Sequence, residues 1–257
     1  QSLADTKVWL DTSAQFGPLV KPIITPRFVP SCTSELMTGL AKLAKEYDVP
    51  VQSHLSENHG EIDWVASLHP ESSNYTDVYY EHHLMGTVPT VMAHCIHLSD
   101  VEMDRMAETQ TMVSHCPYSN VNLSSGIAPI RKLFERNIPI GLGSDISGGH
   151  IVSMAKVLTE AIGLSKMKWA EVDQNYAPLT LSEAFYMATK GGGQFFGHVG
   201  SFENGCELDA LIINDSSLFD PNERSLEERL ERWLYVGDDR HIIERYVAGH
   251  VVPSPKG

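Results

Sequence analysis

The segment Ser53-His54-Leu55-Ser56-Glu57 sets an imidazole and a carboxylate three residues apart at the end of the apolar run Val49-Pro50-Val51. Either group, buried without a partner, costs about 1–3 kcal/mol, so the pair implies a use. Four other apolar runs end alike. Arg27 closes KPIITPRF (21–28), His94 and then His97 end TVMAHCI (90–96), His115 and Cys116 end TMVSHCP (111–117), and Asp145 follows IPIGLGS (138–144). Neutral imidazole nitrogens and carboxylate oxygens are ligands for Zn²⁺ at about 2.0–2.2 Å, and a catalytic zinc keeps one position for a water whose pKa falls towards about 7. His54 and Asp145 are ligand candidates, and Glu57 is placed to take a proton from such a water. Taken singly, a strand-end histidine can be structural, and Asp145 can cap a helix opening in GGHIVSMAK. Recurrence at all five strand ends favours the functional reading. His59, His69, His82, His83, His150, His198, His241 and His250 stand in polar helix or loop contexts and are expected at the surface.

The elements that must position these groups alternate. Each apolar run is followed by residues of helical period, as in SELMTGLAKLAKEYD, where Leu36, Leu40, Leu43 and Ala44 share a face. Ser99 and Glu102 form a capping box opening VEMDRMAE, and Thr180 and Glu183 another opening SEAFYMATK, a helix ended by the Gly191–Gly193 run. Strands buried on both faces and joined by helices form a parallel sheet, either open and doubly wound or closed as a (β/α)8 barrel. No GxGxxG or Walker loop follows a strand, which removes the nucleotide-binding version of the open sheet. In both architectures the carboxyl ends of the strands converge on one face, where the chemistry is carried. From about residue 199 the pattern becomes short strands and turns, with ALIIN as a strand and HIIERYVAGHVV as a hairpin around Ala248-Gly249.

Composition narrows the partners. The 257 residues are 42% hydrophobic and 20% charged, with 33 acids against 19 bases and a net charge of −14. With no basic block, that field repels nucleic acid and anionic membrane. Cys32, Cys95, Cys116 and Cys206 form no CxxC pair, and the expected compartment is reducing, the cytoplasm. The start, QSLADTKVWL, has no initiator Met, no basic n-region and no apolar h-region.

The ordered series TPRF, QSHLSE, MAHCIHL, SHCPYSN and GLGSDISGG resembles the metal-dependent amidohydrolase superfamily and, within it, the branch that deaminates guanine. GSFENGCELDALII and LYVGDDRHIIERYVAGHVV are similar to the family's small β-sandwich domain. The resemblance covers nearly the whole chain. It implies an α/β (β/α)8 TIM barrel that converts guanine and water to xanthine and ammonia with one Zn²⁺ per site, a small-molecule purine substrate and a homodimer. It also implies roles: His54 and Asp145 as metal ligands, with His94 a further candidate; Glu57, His94 and Asp145 as catalytic; Arg27 and Phe28, with His54 and Glu57, as substrate-binding. The SHCPYSN segment is given a structural role, and His97 none.

The family's first strand supplies an HxH pair to the metal, and this sequence contains no HxH. Five candidate strands precede the tail, matching strands four to eight of the barrel. The expectation is therefore the C-terminal part of a longer enzyme, with residues 1–198 a partial barrel and 199–257 part of the β-sandwich. Other readings stay open: a divergent protein that lost the pair, an aminohydrolase for another purine, a nucleoside or a triazine, or an inactive barrel used as a scaffold. Zinc deaminases carrying H-x-E together with P-C-x-x-C are excluded, since P-C-x-x-C does not occur.

Overall fold

The structure is a computed structural model that describes residues 1–13 and 15–253. Seven strands are described: β1 (Val51–Leu55), β2 (Thr90–His94), β3 (Met112–His115), β4 (Ile140–Leu142), β5 (Ala210–Ile213), β6 (Ile242–Val247) and β7 (His250–Val251). The helices are α1 (Ser2–Ser13), α2 (Ser34–Tyr47), α3 (His59–Leu68), α4 (Tyr75–Glu81), α5 (Asp100–Glu108), α6 (Pro117–Asn122), α7 (Ile130–Glu135), α8 (Met154–Glu171), α9 (Leu181–Tyr186) and α10 (Leu226–Val236). They fall into two compact units, residues 1–115 with 124–140, and residues 116–123 with 141–257.

In the first unit β1, β2 and β3 pair in chain order and in parallel, with Val51 opposite Thr90 and Val91 opposite Met112. β4 opens beside β3, where the Val113 N–H donates to the Pro139 carbonyl at 2.8 Å. Alternate residues of β1 and β2 are fully buried. Helix α2 turns Met37, Leu40, Ala41, Leu43 and Ala44 inward. The Thr33 hydroxyl caps its start, and Asp48 at φ +50° ends it. Helix α5 opens with the anticipated capping box of Ser99 and Glu102.

The expected strand KPIITPRF is corrected to a single parallel bridge between Ile24 and Val51. Pro22 and Pro26 flank Ile24 and lack the N–H a longer ladder requires. Around the bridge, Ile24 N–H donates to the Pro50 carbonyl and Gln52 N–H to the Ile24 carbonyl, each at 2.9 Å.

In the second unit α8 packs against α9 and α10. The Lys156 ammonium donates to the Leu234 and Tyr235 carbonyls at 3.2 and 2.7 Å, a cation on the open carbonyls of the α10 C-terminus. The Thr180–Glu183 capping box opens α9, which runs into a π turn over Met187–Gly191. β5, β6 and β7 form an antiparallel sheet, and Ala248 (φ +48°) with Gly249 (φ +78°) makes the hairpin turn between β6 and β7. Two histidines expected at the surface are buried. His69 ends α3, its N–H bonded to the Val65 carbonyl, and His241 is held by Asp238 and by the Ser217 hydroxyl at 3.1 Å. No helix among the described residues is long and apolar enough to cross a membrane.

Candidate active site

The chain leaves its parallel strands through left-handed residues. Ser56 follows β1 at φ +50°, His94 ends β2 at φ +69° with Cys95 next at +52°, and Asp145, beyond β4, has φ +43°. Non-glycine residues in this region cost about 1–3 kcal/mol each and persist where the surroundings hold them. After β1 and β2 those surroundings are explicit. The Ile96 and His97 N–H groups both donate to the Ser56 carbonyl, at 3.2 and 3.1 Å. This ties the turn after β1 to the turn after β2.

His54 is fixed through its own ring. Its Nδ1 lies 2.6 Å from the Arg27 carbonyl, which can only accept, so Nδ1 carries a proton, and in the neutral imidazole the lone pair is then on Nε2. A metal-binding imidazole is oriented in the same way, by a hydrogen bond from its other nitrogen. From beneath, the buried Tyr79 hydroxyl donates to the His54 carbonyl at 2.9 Å. The His54 ring stacks on that of His94 with centroids 5.3 Å apart.

Glu57 meets His94 across the turn. Its Oε2 lies 3.6 Å from His94 Nε2, with the His94 side chain buried and that of Glu57 17% exposed. Its main-chain N–H donates to the buried Glu61 carboxylate at 3.0 Å, and Glu61 also accepts from the Tyr75 hydroxyl at 2.7 Å. Burial, then the neighbouring Tyr79 and Glu61, push the Tyr75 hydroxyl far above the usual tyrosine range, so it stays protonated and donates to Glu61. The Ser125 hydroxyl donates to Glu57 Oε1 at 2.9 Å.

Arg27 and Phe28 lie just past the Ile24 bridge. The Arg27 guanidinium carbon is 5.6 Å from the Phe28 ring centroid, and Phe28 meets the Trp64 edge at 6.1 Å and 78°. Arg27 is exposed. His115 is buried at the end of β3. Burial, then the charge of His94, pull its pKa down to about 3, which keeps it neutral.

Asp145 belongs to the second unit. It caps no helix, because α8 begins at Met154 with Ser153 before it. Its carbonyl accepts from the Gly149 N–H at 2.6 Å. A Cβ on Gly148 would fall 2.6 Å from Asp145 Oδ2 and 2.7 Å from Ser119 Oγ, so only glycine allows the backbone this close to the carboxylate.

The structure thus brings Glu57, His94 and His54 together, and sets Phe28 beside Arg27. Ser125, Glu61, Tyr75 and Tyr79 hold these groups without having been singled out from sequence, and His97, noted at a strand end but given no role, holds the Ser125 carbonyl. A sequence signal exists for Glu61, which stands three residues after Asn58, the spacing of an N-cap residue and its N3 acid. The donor types fit zinc, most directly the bare His54 Nε2. Among the described residues, no three His, Cys, Asp or Glu side chains group to hold a metal.

A model of the amidohydrolase family matches residues 10–252. The chain belongs to the amidohydrolase family. It is 44% identical to the guanine deaminase of Dictyostelium discoideum over 98% of its own length and 57% of that protein, and 42% identical to that of Mus musculus over 98% and 58%. A crystal structure of guanine deaminase from C. acetobutylicum with bound guanine superposes with TM-score 0.94 at 53% identity, covering 98% of this chain and 60% of that one. The chain therefore spans somewhat over half the length of these relatives. Its fold is the α/β amidohydrolase fold.

Proposed function

We propose that the protein of which this chain is part hydrolyses guanine to xanthine and ammonia. The observation that carries this reading is the Glu57–His94–His54 cluster, in a chain 53% identical to a guanine deaminase that holds guanine. Residues 1–198 are read as strands four to eight of a (β/α)8 barrel and 199–257 as part of a small β-sandwich. Among the described residues no disulfide joins the four cysteines, which accords with a reducing compartment, the cytoplasm, and a homodimer belongs to the same reading.

In this reading His54 Nε2 and the Asp145 carboxylate would hold zinc, with His94 at its side. What zinc supplies when bound is Lewis acidity, which brings the pKa of a water towards about 7. Glu57 takes a proton from the attacking water as the oxygen adds to the amino-bearing ring carbon, and it passes that proton to the adjacent ring nitrogen. His94 and Asp145 stabilise the new hydroxyl on the tetrahedral carbon. The proton of that hydroxyl then passes to the amino group, the carbon–nitrogen bond breaks to release ammonia, and the new oxo group makes the product xanthine. The Arg27 guanidinium donates to the ring oxo group, and Phe28 packs on the ring face. The His54 and Glu57 side chains complete the substrate's polar surroundings.

The test is a product assay on the full-length, zinc-loaded protein. Release of xanthine and ammonia in equal amounts from guanine is the expected result. No ammonia from guanine, with ammonia from another amino-bearing ring, would transfer the assignment to that ring.

A further inference from the structure

We propose that Ser125 is a positioning residue that decides which oxygen of Glu57 carries the proton. The inference rests on the deaminase reading above and names a role for a residue that the reading does not use. Ser125 is buried, 68 residues away from Glu57 in sequence, and its hydroxyl donates to Glu57 Oε1 at 2.9 Å. The other oxygen, Oε2, is the one facing His94 Nε2. The two oxygens of a carboxylate are equivalent until something distinguishes them, and here a buried donor does.

The loop carrying Ser125 is itself held in place. Its carbonyl lies 2.8 Å from His97 Nε2, which must be the donor because a carbonyl only accepts. The His97 ring packs on His59 with centroids 4.0 Å apart. Next to Ser125, Gly126 has φ +129°, and a Cβ there would meet Ile96 Cγ2 at 3.0 Å and His97 Cε1 at 3.3 Å. A side chain at 126 would be strained and would press on the two residues that hold the loop just past β2. Across the site, Glu61 holds the Glu57 main chain through its N–H. Main chain and Oε1 are both fixed, so rotation that would exchange the oxygens is blocked, and Oε2 alone is left to receive the proton and return it to the ring nitrogen.

Removing the Ser125 donor frees that rotation while leaving substrate contacts in place. In the full-length, zinc-loaded protein, Ser125→Ala should lower kcat about 10- to 100-fold, the scale of a small misplacement of a reacting group, with KM within about threefold of the parent. Ser125→Thr, which keeps a hydroxyl, should recover most of kcat. Ser125→Cys, nearly isosteric with a weak donor, should lose kcat as alanine does, and it carries the test if the alanine variant fails to fold. An alanine or cysteine variant with parental kcat, or a threonine variant no better than alanine, overturns the proposal. The kinetics are read on whichever amino-bearing ring the parent turns over. Failure on guanine alone therefore counts against the substrate assignment and leaves the Ser125 result readable.

Discussion

The carboxyl ends of β1 and β2 and the sheet of β5, β6 and β7 use the same residue types to opposite ends. At the first, Ser53, Glu61, His94 and Ser125 are buried, Glu61 holds the Glu57 main chain, and Ser125 and His94, from distant segments, meet the Glu57 carboxylate. In the second, Leu211, Ile212 and Val251 are exposed, and the exposed Glu244 carboxylate accepts from the Tyr246 hydroxyl at 2.7 Å. Positive φ separates the two as well. In the β6–β7 turn, Ala248 and Gly249 give the twist a two-residue hairpin needs, whereas Ser56 and His94 aim polar groups. A carboxylate gains chemical leverage where water is excluded and its donors are fixed, because electrostatic interactions strengthen as the local dielectric falls.

The widest separation between the regions should appear in specificity. A guanidinium donates and never accepts, so if the proposed role holds Arg27 should favour the oxo group of guanine over the amino group of adenine, a mismatch that can discriminate by about 10⁴ to 10⁵. Arg27→Ala (R27A) should lower guanine turnover and narrow that preference, while Arg245→Ala in β6 changes neither. Comparable kcat/KM for both bases in the parent would remove Arg27 from the substrate site. Next, Glu57→Gln should cost about 10² to 10⁴ in kcat, the usual contribution of general acid–base catalysis. Glu244→Gln serves as the matched control, with kinetics expected at the parental level. If both variants lose activity equally, the contrast drawn between the two carboxylates is wrong.

Stability should divide along the same line. Leu55 is fully buried at the end of β1, and Leu55→Ala should destabilise by about 2–5 kcal/mol in urea unfolding. Leu211, 53% exposed, should change it by under about 0.5 kcal/mol. The smallest effect concerns acid. With a folded pKa of about 3 against an ordinary 6.5, His115 is protonated first in the unfolded chain, so stability falls as pH drops below 6.5. The loss should reach about 2 kcal/mol by pH 5. His115→Asn should flatten that slope relative to the parent, whereas exposed His250→Gln should leave it unchanged. A parental slope in the His115 variant would show that burial does not hold the imidazole neutral.

The sequence by itself determined what depends on near neighbours. Apolar runs bounded by turns specified β1 to β4, the spacing of Ser99 with Glu102 and of Thr180 with Glu183 specified two capping boxes, and Ala248-Gly249 specified the last hairpin. Each is decided within a few residues, where hydrogen-bond geometry and side-chain period act directly. The motifs also singled out Glu57, His94 and His54, but not what holds them. Only the tertiary structure decided that KPIITPRF shrinks to a bridge at Ile24, that His69 and His241 are buried, and that Ser125 and His97 secure Glu57. The pairing of Ser125 with Glu57 spans 68 residues and exists because parallel strands bring successive carboxyl-end loops side by side. Nothing local to either residue encodes such a contact, since it depends on strand register and on the path of the intervening loop.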